Sequence, residues 1–194
     1  MTYKFTKFYC DDSYDCPTYW HEIIEKNGYN RLLELGIWEG HSMYNFVSLG
    51  IRDVTCVDIW MNDYTKENFQ HNKALMLEEF EDLTIDDRTE MSWTALTEML
   101  AKNEPLFDLV YVDASHFAHN ALLDGCLAFR LLRVGGCIIF DDYHLIRKNL
   151  GAPDLTPKEG VDAFEHVHRR FIEPALVNGY QKAWYKTMEE EKIG

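Results

Sequence analysis

Basic residues are scarce in this chain. Lys and Arg number 19 against 33 Asp and Glu, for a formal net charge of −14 at pH 7. Phosphate backbones are held by clustered Lys and Arg, and the nearest approach to a cluster is the pairs Arg147-Lys148 and Arg169-Arg170. Nucleic acid is therefore not the expected partner. Also missing is any run of ~18 uninterrupted apolar residues, the length that a membrane-spanning helix requires, so no membrane partner is expected. Met1 is followed by polar and charged residues, not by the apolar core of a secretory leader, which points to a cytoplasmic protein. Zinc-type cysteine spacing is absent as well. Cys10 and Cys16 form no CxxC pair, and the odd total of five argues against a disulfide framework. Cys56, Cys126 and Cys137 lie in apolar stretches and read as small core residues.

What is present is an alternation of short apolar runs with amphipathic stretches, the pattern of an α/β protein with a mainly parallel sheet. Strands are expected at 31–35, 53–58, 83–86 (weakly) and 107–113, with a fifth opened by Gly135-Gly136. Helices are expected at 17–27, 39–49, 66–80, 92–102, 117–132 and 160–171, with Ser92 as an N-cap and Gly50 as a stop. Residues 143–157 read as a loop. Asn178-Gly179 marks a closing antiparallel hairpin within 173–186. Residues 1–29 form an N-terminal segment ahead of a domain at 30–194. Its aromatic start (Tyr3, Phe5, Phe8, Tyr9, Tyr14) either covers a site as a lid or packs on the body.

Two apolar strands end in carboxylates: Phe107 to Asp113, and Gly136 to Asp141-Asp142. Laid parallel and adjacent, they bring Asp113, Asp141 and Asp142 to one sheet edge, with His116 beside them. Hard oxygen ligands suit Mg²⁺ or Ca²⁺, and the histidine is a candidate general base. Strand-end aspartates also cap loops, and that reading stays open. At the first strand, Glu34-Leu-Gly36-Ile-Trp-Glu-Gly40-His-Ser42 opens a helix, with glycines suited to a tight turn and close backbone approach. It lacks the third glycine of G-x-G-x-x-G, which weighs against a nicotinamide dinucleotide. Asp58 ends the next strand about twenty residues later, where an acid can accept both ribose hydroxyls. A plain βα turn and a solvated carboxylate are the simpler readings of these two features.

Taken together, the glycine turn, Val57-Asp58-Ile-Trp60, Phe107 to Asp113 and Leu132-Arg-Val-Gly-Gly-Cys-Ile-Ile-Phe140 resemble class I S-adenosylmethionine-dependent methyltransferases, over residues 30–142. The resemblance is strongest to metal-dependent O-methyltransferases of the catechol and caffeoyl-CoA type and of the macrolide-sugar (macrocin and mycinamicin) type. The first type has a lysine three residues after the strand-four Asp. The second has a histidine, as here at His116. The resemblance implies a Rossmann-like fold: a mostly parallel seven-stranded sheet flanked by helices, with a C-terminal antiparallel hairpin. It implies S-adenosylmethionine as methyl donor and a divalent metal, Mg²⁺, on Asp113, Asp141 and Asp142, with His116 as base. Glu34, Gly36, Gly40 and Ser42 would line the methionine and ribose side. Asp58 would hold the ribose, with Ile59, Trp60, Ser92 and Trp93 around the adenine and Asp113 at the metal side of the cofactor. The family glycine two residues before Ser92 is Glu90 here. His119, Tyr143 and His144 are candidates for the substrate pocket.

The expected function is transfer of a methyl group to a hydroxyl of a small molecule, a sugar or catechol-like ring. A metal-independent methyltransferase and a non-catalytic S-adenosylmethionine-binding protein are the alternatives. Homodimerisation is the base-rate expectation for such a chain.

Overall fold

Val, Ile, Leu and Phe fill the central strands on both faces, so each must be covered on both sides, as in parallel sheets sandwiched by helices. The structure, a computed structural model, describes residues 1–6, 17–145, 156–175 and 180–190. Along it run α1 (Thr18–Ile24), β1 (Arg31–Leu35), α2 (His41–Ser48), β2 (Asp53–Asp58), α3 (Asp63–Glu79), β3 (Thr84–Thr89) and α4 (Ser92–Lys102). Then follow β4 (Phe107–Val112), α5 (Ala118–Leu131), β5 (Leu132–Phe140), α6 (Lys158–His168), β6 (Ile172–Pro174) and β7 (Lys182–Lys186). Among the described residues they build one seven-stranded sheet in the order β3-β2-β1-β4-β5-β7-β6. The first five strands are parallel. β7 runs antiparallel to β5, and β6 antiparallel to β7. This is the Rossmann-like architecture expected from the sequence, antiparallel C-terminal strands included.

Alternation along each strand assigns its side chains to two cores. Leu32, Val54, Cys56, Leu109, Tyr111 and Ile139 face Trp20, Ile23, Met43, Phe46 and Phe69 from α1, α2 and α3. Leu33, Leu35, Val57, Val110, Ile138 and Phe140 face Leu96, Met99, Phe129, Val161 and Phe164 from α4, α5 and α6. The order reverses between β1 and β4, which leaves a crevice beyond their carboxyl ends. Open α/β sheets bind their ligands at such a switch point.

Several boundaries differ from the sequence reading. β3 is a full strand although its residues are polar, because an edge strand with β2 as its partner needs no continuous apolar run. β5 begins at Leu132, ahead of Gly135-Gly136. α3 starts earlier, at Asp63, where the Asn62 side chain accepts from the Thr65 amide at 2.9 Å. Ser92 is not the cap of α4: Met91 holds that position, and the Ser92 hydroxyl turns inward to Asp124. The sequence of 160–171 suggests that His166 and His168 lie on an exposed helix face, whereas His168 is buried between Phe129 and Phe164. Cys56 and Cys137 are core residues as expected, and Cys126 is partly buried. Cys10, Cys16, most of the 143–157 loop and Asn178-Gly179 lie outside the described residues. Among the described residues, no helix is long and apolar enough to cross a membrane.

Candidate active site at the carboxyl ends of the central strands

The turn after β1 is held by β2 and β4. The Gly36 amide donates to Val57 O at 2.9 Å, and the Asp113 amide donates to Leu35 O at 2.8 Å. Gly36 has φ +82°, and a Cβ there would stand 2.2 Å from the carbonyl oxygen of Asp113. Only glycine lets the chain leave β1 this close to the end of β4. Gly40, at φ +83°, is the N-cap of α2 and brings no side chain to cap it. Asp58 binds both neighbouring turns. One carboxylate oxygen accepts from the amides of Ile37 (2.7 Å) and Trp38 (3.0 Å), and the other from that of Trp60 (2.6 Å). Trp60 is buried against Phe69 and donates its indole N–H to Trp38 O at 3.0 Å, while Ile59 is exposed. Trp38, Trp60 and Asp142 all adopt positive φ (55°, 39° and 54°). Such backbones are uncommon outside glycine and collect at working sites.

Glu34 lies under this turn, fully buried. One oxygen accepts from the Ser42 hydroxyl, and Oε2 has no partner among the described residues. Burial pushes its carboxyl up to about 8 against the opposing Ser42 bond, and the nearby Asp58 charge adds to the rise. A raised folded-state pKa stabilises below the unfolded value, and this contribution is lost as pH rises through the folded one. For Glu34 that window runs from 4.5 to about 8. His168, whose burial lowers its pKa, acts in the opposite direction, and only as pH falls through its ordinary value of 6.5. The ligand-free protein should therefore melt lower at about pH 8.5 than at about pH 6.5, with a smaller difference in Glu34→Gln. A flat wild-type profile by calorimetry would count against a protonated Glu34.

At the ends of β4 and β5, Asp113, His116 and Asp142 each offer a ligand atom, all within 4.8 Å of one another. His116 Nε2 is 2.8 Å from Asp142 Oδ2 and 4.0 Å from Asp113 Oδ1. Burial, then the charges of Asp141 and Asp142, hold the Asp113 carboxyl well above the usual carboxylate range. Burial and Asp142 likewise raise Asp141. Asp141 accepts from the Tyr111 hydroxyl at 2.6 Å and from the Gln181 amide at 2.9 Å.

Glu34, Gly36, Asp58, Asp113, His116, Asp141 and Asp142 thus gather at one edge. The substrate candidates are more scattered. Tyr143 is buried and donates to Asp162 at 2.7 Å while accepting from Lys158, His144 is exposed against its ring, and His119 is exposed beside Phe117. Trp93 is exposed at the start of α4.

A family sequence model described as a methyltransferase domain matches residues 33–143, more than half of the chain. The chain belongs to the methyltransferase domain family. The resemblance to class I methyltransferases is borne out, and solved structures agree on the fold. The O-methyltransferase from Bacillus cereus in complex with SAH is 18% identical, with a TM-score of 0.66 over 87% of this chain and 79% of that one. TomG from Streptomyces achromogenes, in complex with SAM, is 18% identical with a TM-score of 0.65, over 87% and 78%. The mycinamycin-pathway methyltransferase MycE, in complex with Mg, SAH and mycinamycin VI, is 19% identical with a TM-score of 0.59, over 89% of this chain and 49% of that one. No curated protein matches in sequence.

This methyltransferase carries polar residues at its edge that sequence reading passed over. Glu39, in the glycine turn, is buried and accepts from the Thr6 hydroxyl at 2.6 Å and from Asn68 at 2.8 Å. Through it, through Asn72, which pairs with the Lys4 backbone, and through Phe5 stacked on His41, residues 1–6 pack on α2 and α3. Asp124 accepts from Ser92 at 2.7 Å, and burial pushes its carboxyl up to about 6. An acid on the apolar stripe Ala121, Gly125 and Ala128 was a visible signal for it. Tyr111 and Gln181 left no such trace.

Proposed function

We propose that this methyltransferase moves a methyl group from S-adenosylmethionine to a hydroxyl of a small hydroxylated molecule, a sugar or catechol-like ring, with the help of a divalent metal such as Mg²⁺. The observation that carries this reading is the convergence of Asp113, His116 and Asp142, whose ligand atoms lie within 4.8 Å of one another at the switch point of the sheet, with Asp141 next in the chain to Asp142. Burial, and then the neighbouring carboxylate charges, make Asp113 and Asp141 resist ionisation. Among the described residues, His116 is the one basic side chain paired with them. Such an all-oxygen donor set fits a hard divalent cation. Asp113 and Asp142 would hold it with Asp141 as third carboxylate. Bound there, the ion would lower the pKa of a substrate hydroxyl and orient its oxygen toward the sulfonium methyl.

The chain's own residues supply the rest. On the donor side, the N-terminal end of the α2 dipole favours the methionine carboxylate. Ser42 stands at that end, Asp58 offers acceptors for the ribose, and Ile59, Trp60, Ser92 and Trp93 border the adenine. The unpartnered Oε2 of Glu34 is consistent with a polar group of the donor nearby. The close contact of His116 Nε2 with Asp142 favours the tautomer that keeps the proton on Nε2. His116 is the base that takes the substrate's hydroxyl proton as the methyl transfers. Products are the methyl ether, S-adenosylhomocysteine and a protonated His116.

His116→Ala is expected to lower turnover by roughly 10²–10⁴-fold with donor affinity intact. Chelator should abolish turnover, and added Mg²⁺ or Mn²⁺ should restore it. Full turnover in chelator would replace this reading with a metal-independent methyltransferase whose acidic edge is structural. A drop of less than about tenfold in His116→Ala would remove the base assignment.

A further inference from the structure

Asp141 is the end of a buried hydrogen-bonded chain that begins in another layer of the protein. Its Oδ2 accepts from the Tyr111 hydroxyl at 2.6 Å, and its Oδ1 from the Gln181 amide nitrogen at 2.9 Å. The same nitrogen donates to the Tyr111 oxygen at 3.1 Å. The amide oxygen of Gln181 accepts from the Trp20 indole N–H at 3.0 Å and from the Tyr19 hydroxyl. Tyr19, Trp20, Tyr111 and Gln181 are all buried. The chain therefore runs from α1, through the residue that precedes β7, to β4 and the end of β5.

Its direction is set chemically. An indole N–H can only donate, so Trp20 requires the amide oxygen of Gln181 to face α1. The amide nitrogen is then forced toward Tyr111 and Asp141. With Gln181 donating to it, the Tyr111 hydroxyl sends its own proton to Asp141. Both oxygens of Asp141 thus receive a donor, and each keeps acceptor capacity on its other side. Ring packing fixes the arrangement further: Tyr111 meets Trp20 edge-on at 5.6 Å and Phe46 at 5.2 Å.

We infer that Tyr111 and Gln181 are positioning residues for Asp141 as a metal carboxylate, and that the docking of α1 against Gln181 sets the metal affinity of the site. This rests on the proposed metal-dependent function. Partners that orient a ligating carboxylate typically contribute 10–100-fold to metal affinity, and a network satisfied at every member is stiff. The helix before the domain and the last strand of the sheet then act on the site without touching the reacting atoms.

The test is titration of Mn²⁺ into the S-adenosylmethionine complex of the wild type, Tyr111→Phe and Gln181→Leu, read by the Mn²⁺ electron paramagnetic resonance signal. S-adenosylmethionine affinity is measured on the same samples. Either variant should weaken Mn²⁺ binding roughly 10–100-fold while leaving S-adenosylmethionine affinity unchanged. Tyr111→Phe keeps the ring packing, so it carries the test if Gln181→Leu folds poorly. Variants that bind Mn²⁺ like the wild type would overturn the positioning role and leave the proposed function standing. A wild type that binds the donor but no Mn²⁺ would overturn the metal reading itself, and the positioning role with it.

Discussion

Replacing Asp113 with asparagine is expected to abolish metal binding and, at the same time, to make the ligand-free protein more stable. The side chain keeps its shape and loses its charge. That charge is held in a poor position: burial and then Asp141 and Asp142 push the Asp113 carboxyl far above its ordinary range. Near neutral pH the folded state must either keep a proton there or accept repulsion among the acids, and both cost stability. Removing the cost should raise the melting temperature, at about 2–4 °C per kcal/mol for a chain of this size. Loss of a ligand should weaken Mn²⁺ binding by at least ~10²-fold, beyond what loss of an orienting partner costs. A gain in stability together with loss of function is the signature of a site assembled against its own electrostatics. A lower melting temperature with unchanged Mn²⁺ affinity would identify Asp113 as a structural cap.

The second large effect is expected at Gly36. In Gly36→Ala the new methyl would lie 2.2 Å from Asp113 O and 2.7 Å from Ala114 Cα, both backbone atoms with little freedom to withdraw. The residue must also keep φ +82°, where alanine is strained. Strain and overpacking together should cost roughly 2–6 kcal/mol. Any folded fraction should bind S-adenosylmethionine poorly, because the β1 turn and the Asp113 strand end can no longer meet. Gly28→Ala is the matched control: its φ is +61°, yet among the described residues nothing lies within 4 Å of the added methyl. It should show the smaller cost of backbone strain alone. Equal losses in the two variants, by denaturant unfolding, would mean that the close approach of β1 and β4 is not what Gly36 serves.

Much of this was legible because it is local. Parallel strands buried on both faces must be apolar along their length, so a carboxylate at Asp58, Asp113 or Asp141 stands out as the strand's end. Gly36 and Gly40 stand out because the turn between β1 and α2 needs positive φ. The polar edge strand β3 was read only weakly, because edge strands give up the apolar pattern that marks buried ones. His168 was misplaced because its polar type outweighed its spacing, which continues the buried stripe of Val161 and Phe164. The cap of α4 was misread because Ser92 finds a stronger partner in Asp124, 32 residues on.

By itself, then, the sequence determined the α/β class, the glycine turn and the strands that end in Asp58, Asp113 and Asp141-Asp142, because these follow from backbone periodicity and from residue types within a few positions of each other. The parallel pairing of β4 with β5 is what brings Asp113 and Asp141-Asp142 to one edge. Only the tertiary structure decided which polar groups hold that edge in place: Thr6 on Glu39, Ser92 on Asp124, and Gln181 joining Tyr19 and Trp20 to Asp141. Such pairs span separations of 32 to 162 residues. They exist because packing of the helices and of residues 1–6 against the rest of the fold removes these groups from water, and a buried polar group must find its partner wherever the fold has brought one.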